Sequence, residues 1–322
     1  MRSGRGFRYL DMAGGAITDG PTKARIAALV IPPAWQDVWI CPHPNGHIQA
    51  LGTDAAGRRQ YVYHPDWRAP RDAVKHDHVL ELGQRLPAAR ERVAIDLASR
   101  GLNRRRVLAT AARMLDLGFF RVGGERYALQ NNSYGLATIL REHVSVRRGG
   151  LVTFDYPAKS GQRRVQSLAE PNVVAVIRAL LRRTDGGLEL LAFRQGDRWY
   201  DVRSSDINDY LCEIVGFPVS AKDFRTWHGT VLAAIALAVV EVDGMSATAR
   251  KRVVSRAVTE VSEYLGNTPA VCRRSYIDPR VIDRFERGET ISSVLSRLGA
   301  GAEEGQLASI GAAERAVLKL LS

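Results

Sequence analysis

Four short stretches of the chain hold residue types suited to phosphate-ester chemistry. The first is Phe119-Phe120-Arg121-Val122-Gly123-Gly124. Its arginine offers a planar fork to phosphate oxygens, and its glycines let the backbone approach a ligand closely. The plainer alternative is a helix end with a solvated arginine. The second, Phe154-Asp155-Tyr156-Pro157-Ala158-Lys159-Ser160-Gly161, puts a lysine on a hairpin tip, able to swing into a site between two domains. A merely solubilising lysine at a turn is the alternative. The third is Lys222-Asp223-Phe224-Arg225-Thr226-Trp227-His228. As a helix it presents Lys222 and Arg225 on one face, with aromatics to hold the guanidinium, and a basic surface face is the alternative. The fourth, Arg273-Arg274-Ser275-Tyr276-Ile277-Asp278-Pro279-Arg280, sets a tyrosine hydroxyl in a positive field. Only roughly one in a thousand ordinary tyrosines is ionised at pH 7, so neighbouring cations matter if this one is a nucleophile. An amphipathic tyrosine at the core edge is the alternative. Each stretch alone is a weak signal. Their joint occurrence, in this order and in a chain of net charge +12, carries the weight.

The elements that must position these residues follow from periodicity and punctuation. Strands rich in β-branched and aromatic residues are expected over 37–41, 47–51 and 59–63, separated by turn clusters at 42–46 and 54–57, with a short helix over 22–29 before them. Helical periodicity takes over near 68–72, where the domain boundary is expected. Asn103 caps a helix that runs to about 117 and stops at Gly118. Residues 135–169 return to strands, turning at Gly149-Gly150 and Ser160-Gly161. Helices then dominate, over 171–181, 205–215, 221–240 and 246–265, the last capped by Ser246 and stopped by Gly266. The stretch 299–305 is expected to link to a final helix over 312–321.

Composition narrows the classes further. The 322 residues suffice for two domains, and 45% hydrophobic with 25% charged residues is the mix of a globular protein. Lys and Arg number 46 against 34 Asp and Glu, which excludes an acidic or disordered scaffold and points to a polyanionic partner. The apolar run over 231–240 is half a bilayer span, so it is expected to be a buried helix. No apolar stretch follows the basic start, so no secretory leader is expected. Cys41, Cys212 and Cys272 lie far apart, which fits a reducing cytoplasm without disulfides. No CxxC, HExxH, Gly-Lys or DxD pattern occurs, so chemistry without metal or nucleotide is expected. His76 and His78 form an HxH pair, taken as two solvated residues opening a basic helix rather than as metal ligands.

Together the four segments resemble the type IB DNA topoisomerases, in the branch of compact poxvirus and bacterial enzymes. Arg121 with Gly123, Phe154 to Lys159, Lys222 to Thr226, and Ser275 to Arg280 all match in type and order. Ile31-Pro32-Pro33-Ala34-Trp35 and Gly57-Arg58-Arg59-Gln60-Tyr61-Val62-Tyr63 are similar to the family's β-rich domain. The resemblance implies Tyr276 as nucleophile, Arg121 and Arg225 as a clamp on the non-bridging oxygens, and Lys159 as general acid. The family commonly has a histidine where this chain has Asn267, a neutral hydrogen-bond donor, which implies a less pH-sensitive site. Ala158 stands where glycine is usual. Gln60, Tyr61 and Tyr63 match a strand that faces DNA, with cross-strand aromatic pairing as the alternative. Tyr127 matches a position near the scissile phosphate, and Lys222 and Arg280 are further candidate phosphate contacts.

The fold so implied is α+β. A small antiparallel sheet forms an N-terminal DNA-binding domain over 1–70, and a mainly helical catalytic domain over 71–322 is related to the tyrosine recombinases. The two form a C-shaped clamp on duplex DNA. The expected function is relaxation of positive and negative supercoils by a monomer in the cytoplasm, at the nucleoid, with no cofactor and no membrane. Two other readings stay open. A tyrosine recombinase or integrase shares the chemistry, but usually has His-x-x-Arg where Lys222 precedes Arg225, and a helical N-terminal domain. A non-enzymatic basic DNA-binding protein would explain the charge without requiring Tyr276.

Overall fold

Turn chemistry organises the first part of the chain. The computed structural model describes residues 2–3, 6–55, 57–118, 120–297 and 308–322, so Phe119 and the expected linker over 299–305 lie outside the described residues. It comprises two compact units, Met1–Asp77 and His78–Ser322. In the first, β1 (Arg2–Ser3) pairs with β2 (Gly6–Phe7). Helix α1 (Gly20–Ala28) is capped by Asp19, whose carboxylate accepts from Thr22 N at 2.8 Å. Strands β3 (Gln36–Ile40), β4 (Ile48–Thr53) and β5 (Arg59–Tyr63) form an antiparallel sheet in sequence order. Buried Gln49 ties this sheet together: Nε2 donates to the carbonyls of Pro44 and Gly46 in the β3–β4 turn, and Oε1 accepts from Arg25 of α1 at 3.0 Å.

Helix α2 (Pro65–Leu97) runs without a break through the stretch where helical periodicity begins. His76 and His78 lie inside it, not at its start, and His76 is only 3% exposed, so the expectation of two solvated residues is corrected. Among the described residues, no group of three or more metal-ligating side chains assembles, and no helix is long and apolar enough to cross a membrane.

The second unit is mainly helical. Asn103 Oδ1 accepts from Arg106 N and caps α3 (Arg104–Gly118), and α4 (Glu125–Asn131) follows. Strands β6 (Val144–Val146), β7 (Val152–Pro157) and β8 (Arg163–Leu168) form a second antiparallel meander. After α5 (Pro171–Leu181) comes a hairpin of β9 (Ala192–Gln195) and β10 (Arg198–Asp201), in a stretch between expected helices for which no element was expected. Its strands are four residues each and half polar, too short to display a period, although the Gly196-Asp197 turn between them is a hairpin signal. Helices α6 (Ser204–Val215), α7 (Ala221–Ala238), α8 (Ala247–Leu265), α9 (Pro269–Ser275), α10 (Pro279–Glu286) and α11 (Ala308–Leu321) complete it.

Helix α7 is buried around most of its circumference, the polar side chains of Arg225, Thr226, His228 and Thr230 included. It ends two residues before Val240, and Val239 is 67% exposed, so the apolar run is not buried to its end. Close approach needs small residues: a Cβ on Gly83 of α2 would meet the Trp227 ring at 2.6 Å. One ionic network is also buried beside α7. Arg90 of α2 donates to both oxygens of Asp116 (2.9 and 2.8 Å) and of Glu314 on α11 (2.6 and 2.8 Å). Trp227 Nε1 donates to Glu314 at 3.0 Å, and His228 Nε2 lies 3.5 Å from Asp116. Burial pushes the Asp116 carboxyl up, but His228 and Arg90 outweigh it and hold the group well below the usual carboxylate range.

Candidate active site

The carbonyls at the end of helix α8 carry the negative end of its dipole, Ser262 O and Glu263 O also accepting from Asn267 N and Gly266 N. Three arginines from separate elements converge there. Arg164 of β8 donates to Glu263 O at 3.0 Å and to Tyr264 O. Arg225 of α7 donates to Leu265 O at 2.7 Å, and Arg121 donates to Gly266 O at 2.5 Å and to Asn267 Oδ1 at 2.8 Å. Gly266, at φ +61°, turns the chain out of the helix and leaves room for the guanidiniums.

The loop carrying Arg121 is zipped onto a second segment: Arg121 O accepts from Leu136 N at 2.8 Å, and Val122 O from Ala137 N at 2.7 Å. Gly123 (φ +82°) packs on Gly135, where an added Cβ would lie 2.9 Å from Cα, so a larger residue does not fit. Asn267 Oδ1 is taken by Arg121, which orients the amide. Its Nδ2 is buried and meets no acceptor among the described residues. That leaves one neutral donor uncommitted beside two cations.

Tyr276 closes α9, its N–H donating to Cys272 O at 2.9 Å. Its backbone seats directly on α7: a Cβ on Gly229 would come within 2.5 Å of Tyr276 O. Two residues on, Asp278 N donates to Thr230 Oγ1 at 3.0 Å. The Arg225 Cζ lies 5.4 Å from the centroid of the Tyr276 ring. Arg225 is 3% exposed. Burial and then the Arg121 charge push its guanidinium down to about 10, with Tyr276 pulling the other way. It therefore stays cationic at neutral pH, at an energy that an arriving anion would relieve.

These side chains face a cleft of about 340 Å³ lined by Arg121, Tyr127, Lys159, Lys222, Arg225 and Tyr276. Lys159 sits, exposed, on the turn between β7 and β8. Ala158 before it has φ −101°, open to any residue, so the hairpin forms without the usual glycine. Asn267 joins the cluster through Arg121. Arg280 does not line the cleft; its guanidinium is paired with the buried Asp278 carboxylate at 2.8 Å.

In the first unit, strand alternation puts Tyr61 and Tyr63 on one face of β5, both exposed, their ring centroids 6.0 Å apart. Gln60 points to the other face, where Nε2 donates to Asp54 Oδ2 at 2.9 Å. Trp39, in register with Tyr61 through Leu51, adds a third exposed aromatic to the tyrosine face. Ser133 and Tyr134, which also line the cleft, were not singled out from the sequence, nor were Trp39, Arg164 and Gly229. Arg164 had a faint signal, as the second of two adjacent arginines on a strand leading back from Lys159; Gly229 had none.

The bacterial DNA topoisomerase IB N-terminal domain family matches residues 6–54, and the eukaryotic DNA topoisomerase I catalytic core family matches residues 64–293. The chain belongs to the type IB DNA topoisomerases. DNA topoisomerase 1B of Acanthamoeba polyphaga mimivirus is 29% identical over 279 residues, covering 81% of this chain and 79% of the relative. DNA topoisomerase 1 of Daucus carota is 28% identical over 137 residues, 42% of this chain and 16% of its own length. This type IB topoisomerase therefore combines a bacterial-type N-terminal region with a topoisomerase I catalytic core.

Proposed function

We propose that this topoisomerase relaxes supercoils of both signs by nicking one strand through Tyr276, letting it rotate, and resealing it. The phenol oxygen attacks a backbone phosphorus in line, forming the Tyr276–phosphorus bond and breaking the bond to the 5′-oxygen. The phenolic proton is lost to solvent as the bond forms. Lys159 gives a proton to the departing 5′-oxygen, a step that contributes typically about 10²–10⁴-fold when the acid is positioned. Arg121 and Arg225 neutralise charge growing on the non-bridging oxygens, and Asn267 adds an uncharged donor through Nδ2. The 3′-phosphotyrosine keeps the diester's bond energy, so resealing is the reverse reaction and needs neither nucleotide nor metal.

Lys222 and Tyr127 contact flanking phosphates. Tyr61 and Tyr63, with Gln60, meet duplex DNA from the β-rich domain, and Arg280 is a further contact once released from Asp278. The domains are assigned to 1–70 for the sheet and 71–322 for catalysis, the latter related to the tyrosine recombinases. They act as a C-shaped clamp on DNA, as a monomer at the nucleoid of the cytoplasm. What supports the reading is one arrangement: Tyr276 stacked against Arg225 in a cleft that Arg121 and Lys159 also line. The test is relaxation of negatively and positively supercoiled plasmid in excess EDTA without ATP, beside Tyr276→Phe. Relaxation of both forms by the native protein and neither by the variant is expected. DNA binding without relaxation would return the reading to a recombinase or a non-enzymatic DNA-binding protein.

A further inference from the structure

We propose that Arg164 is a positioning residue that fastens the Lys159 hairpin to the end of α8 and thereby sets where the lysine meets the leaving oxygen. The inference rests on the proposed general-acid role of Lys159. Arg164 lies on β8, the return strand of that hairpin, in register with Tyr156 of β7. Its half-buried guanidinium donates to Glu263 O at 3.0 Å and to Tyr264 O. Beyond these carbonyls the chain passes through Gly266 and Asn267 into α9 and Tyr276. Arg164 thus ties the strand that carries the acid to the helix end that leads to the nucleophile.

Three further interactions shape the hairpin itself. Ala158 N donates to Gln162 O at 2.8 Å, Arg163 pairs with Asp155, and Tyr156 Oη donates to Gln166 at 3.1 Å. Lys159 itself is exposed on a turn, with a flexible stem. Its placement therefore depends on the stem of the hairpin, and an error of about 1 Å in a reacting group can lower a rate about 10²-fold. Lysine cannot replace Arg164 fully, because one ammonium lacks the fork that spans two adjacent carbonyls. Arg164 also lies beside Arg121: a Cβ on Gly266 would be 3.0 Å from one guanidinium and 3.7 Å from the other. Action through the oxygen clamp is thus the rival explanation, and the experiment must separate the two.

Single-turnover cleavage is measured on duplexes carrying either oxygen or sulfur as the 5′-bridging atom at the scissile phosphate. A thiolate leaves without a proton. Arg164→Ala is expected to cleave the oxygen substrate about 10–100-fold more slowly, with DNA affinity near native, and the sulfur substrate at close to the native rate. An equal loss on both substrates overturns the proposal and assigns Arg164 to the oxygen clamp or to general stability. Lys159→Ala run in parallel judges the general-acid reading separately, since failure of sulfur to restore it removes that role. The coupling is then decided by Arg164→Ala combined with Lys159→Ala on oxygen: losses that do not add uphold it, and losses that add overturn it. Arg164→Lys, expected to fall between native and alanine on oxygen, supplies the same comparison if the alanine variant fails to fold.

Discussion

Arg225 combines structural and chemical work in one side chain. It is buried, anchored on Leu265 O and set against the Tyr276 ring, and burial with Arg121 pushes its guanidinium down to about 10. A phosphate entering the cleft would supply a full negative charge beside it, and more so as negative charge grows on its oxygens. Arg225→Ala should therefore lower cleavage by at least about 10²-fold while most DNA affinity remains; near-native cleavage in a single-turnover assay would remove it from the clamp. Tyr276→Phe should bind DNA yet form no covalent adduct in a denaturing gel, and an adduct there would transfer the nucleophile elsewhere. At this scale the sequence was informative about residue type and order. Arg121, Lys159, Arg225 and Tyr276 do line one cleft. Sequence order did not show that Arg280 is held by Asp278 or that Gln60 turns away from Tyr61. Such pairings depend on neighbours fixed only by local geometry.

Helix α7 is the element on which the site depends. Its Gly229 lets the Tyr276 backbone seat within what would be 2.5 Å of a Cβ. Alanine would favour the isolated helix by about 0.5–1 kcal/mol, so a variant judged by propensity alone would be harmless. The contact with a backbone carbonyl decides otherwise. Gly229→Ala should displace Tyr276 and slow cleavage about 10–100-fold with DNA binding retained, and native cleavage would show that the contact relaxes freely. On another face α7 meets the Arg90–Asp116–Glu314 network. The Asp116 carboxyl is held below its usual range, so its contribution to stability is present above the unfolded value near 4 and is lost as pH falls below it. Asp116→Asn should cost about 3 kcal/mol in guanidinium unfolding at pH 7, and clearly less at pH 3. An equal difference at both pH values would contradict the ionic role. Helix positions were legible because caps and stops punctuate them: Ser246 Oγ accepts from Ala249 N, and Gly266 ends α8 in the left-handed conformation. The β9–β10 hairpin and the short helices α4, α9 and α10 were missed, since short elements have too few residues to display a period.

For the whole molecule, the excess of 46 basic over 34 acidic residues makes DNA affinity an electrostatic matter. Arg121, Lys159, Lys222 and Arg225 all line the cleft. If each neutralises a phosphate, log affinity should fall with log salt at a slope of roughly −3.5 or steeper. Lys222→Ala should flatten that slope by about 1 in titrations across a salt series. A salt-independent affinity would mean that the charge serves solubility and not binding. The exposed aromatic face of Trp39, Tyr61 and Tyr63 belongs to a separately compact unit. Its contribution is open to the same measurement on Tyr61→Ala, for which a weaker affinity with an unchanged slope is expected.

By itself the sequence determined the residue types that can attack, clamp and protonate a phosphodiester, the charge that draws the substrate, and most helices and strands. These follow from local spacing, and local spacing is written directly in the chain. Only the tertiary structure decided that Arg121, Arg164 and Arg225, from three distant segments, share the carbonyl end of α8. It alone decided that Gly229 must stay small beneath Tyr276, and that Asn267 turns its oxygen to Arg121 and leaves its amide hydrogens without an acceptor among the described residues. The physical reason is that helix-end carbonyls and close backbone contacts act through space, between residues whose separation along the chain leaves no periodic trace.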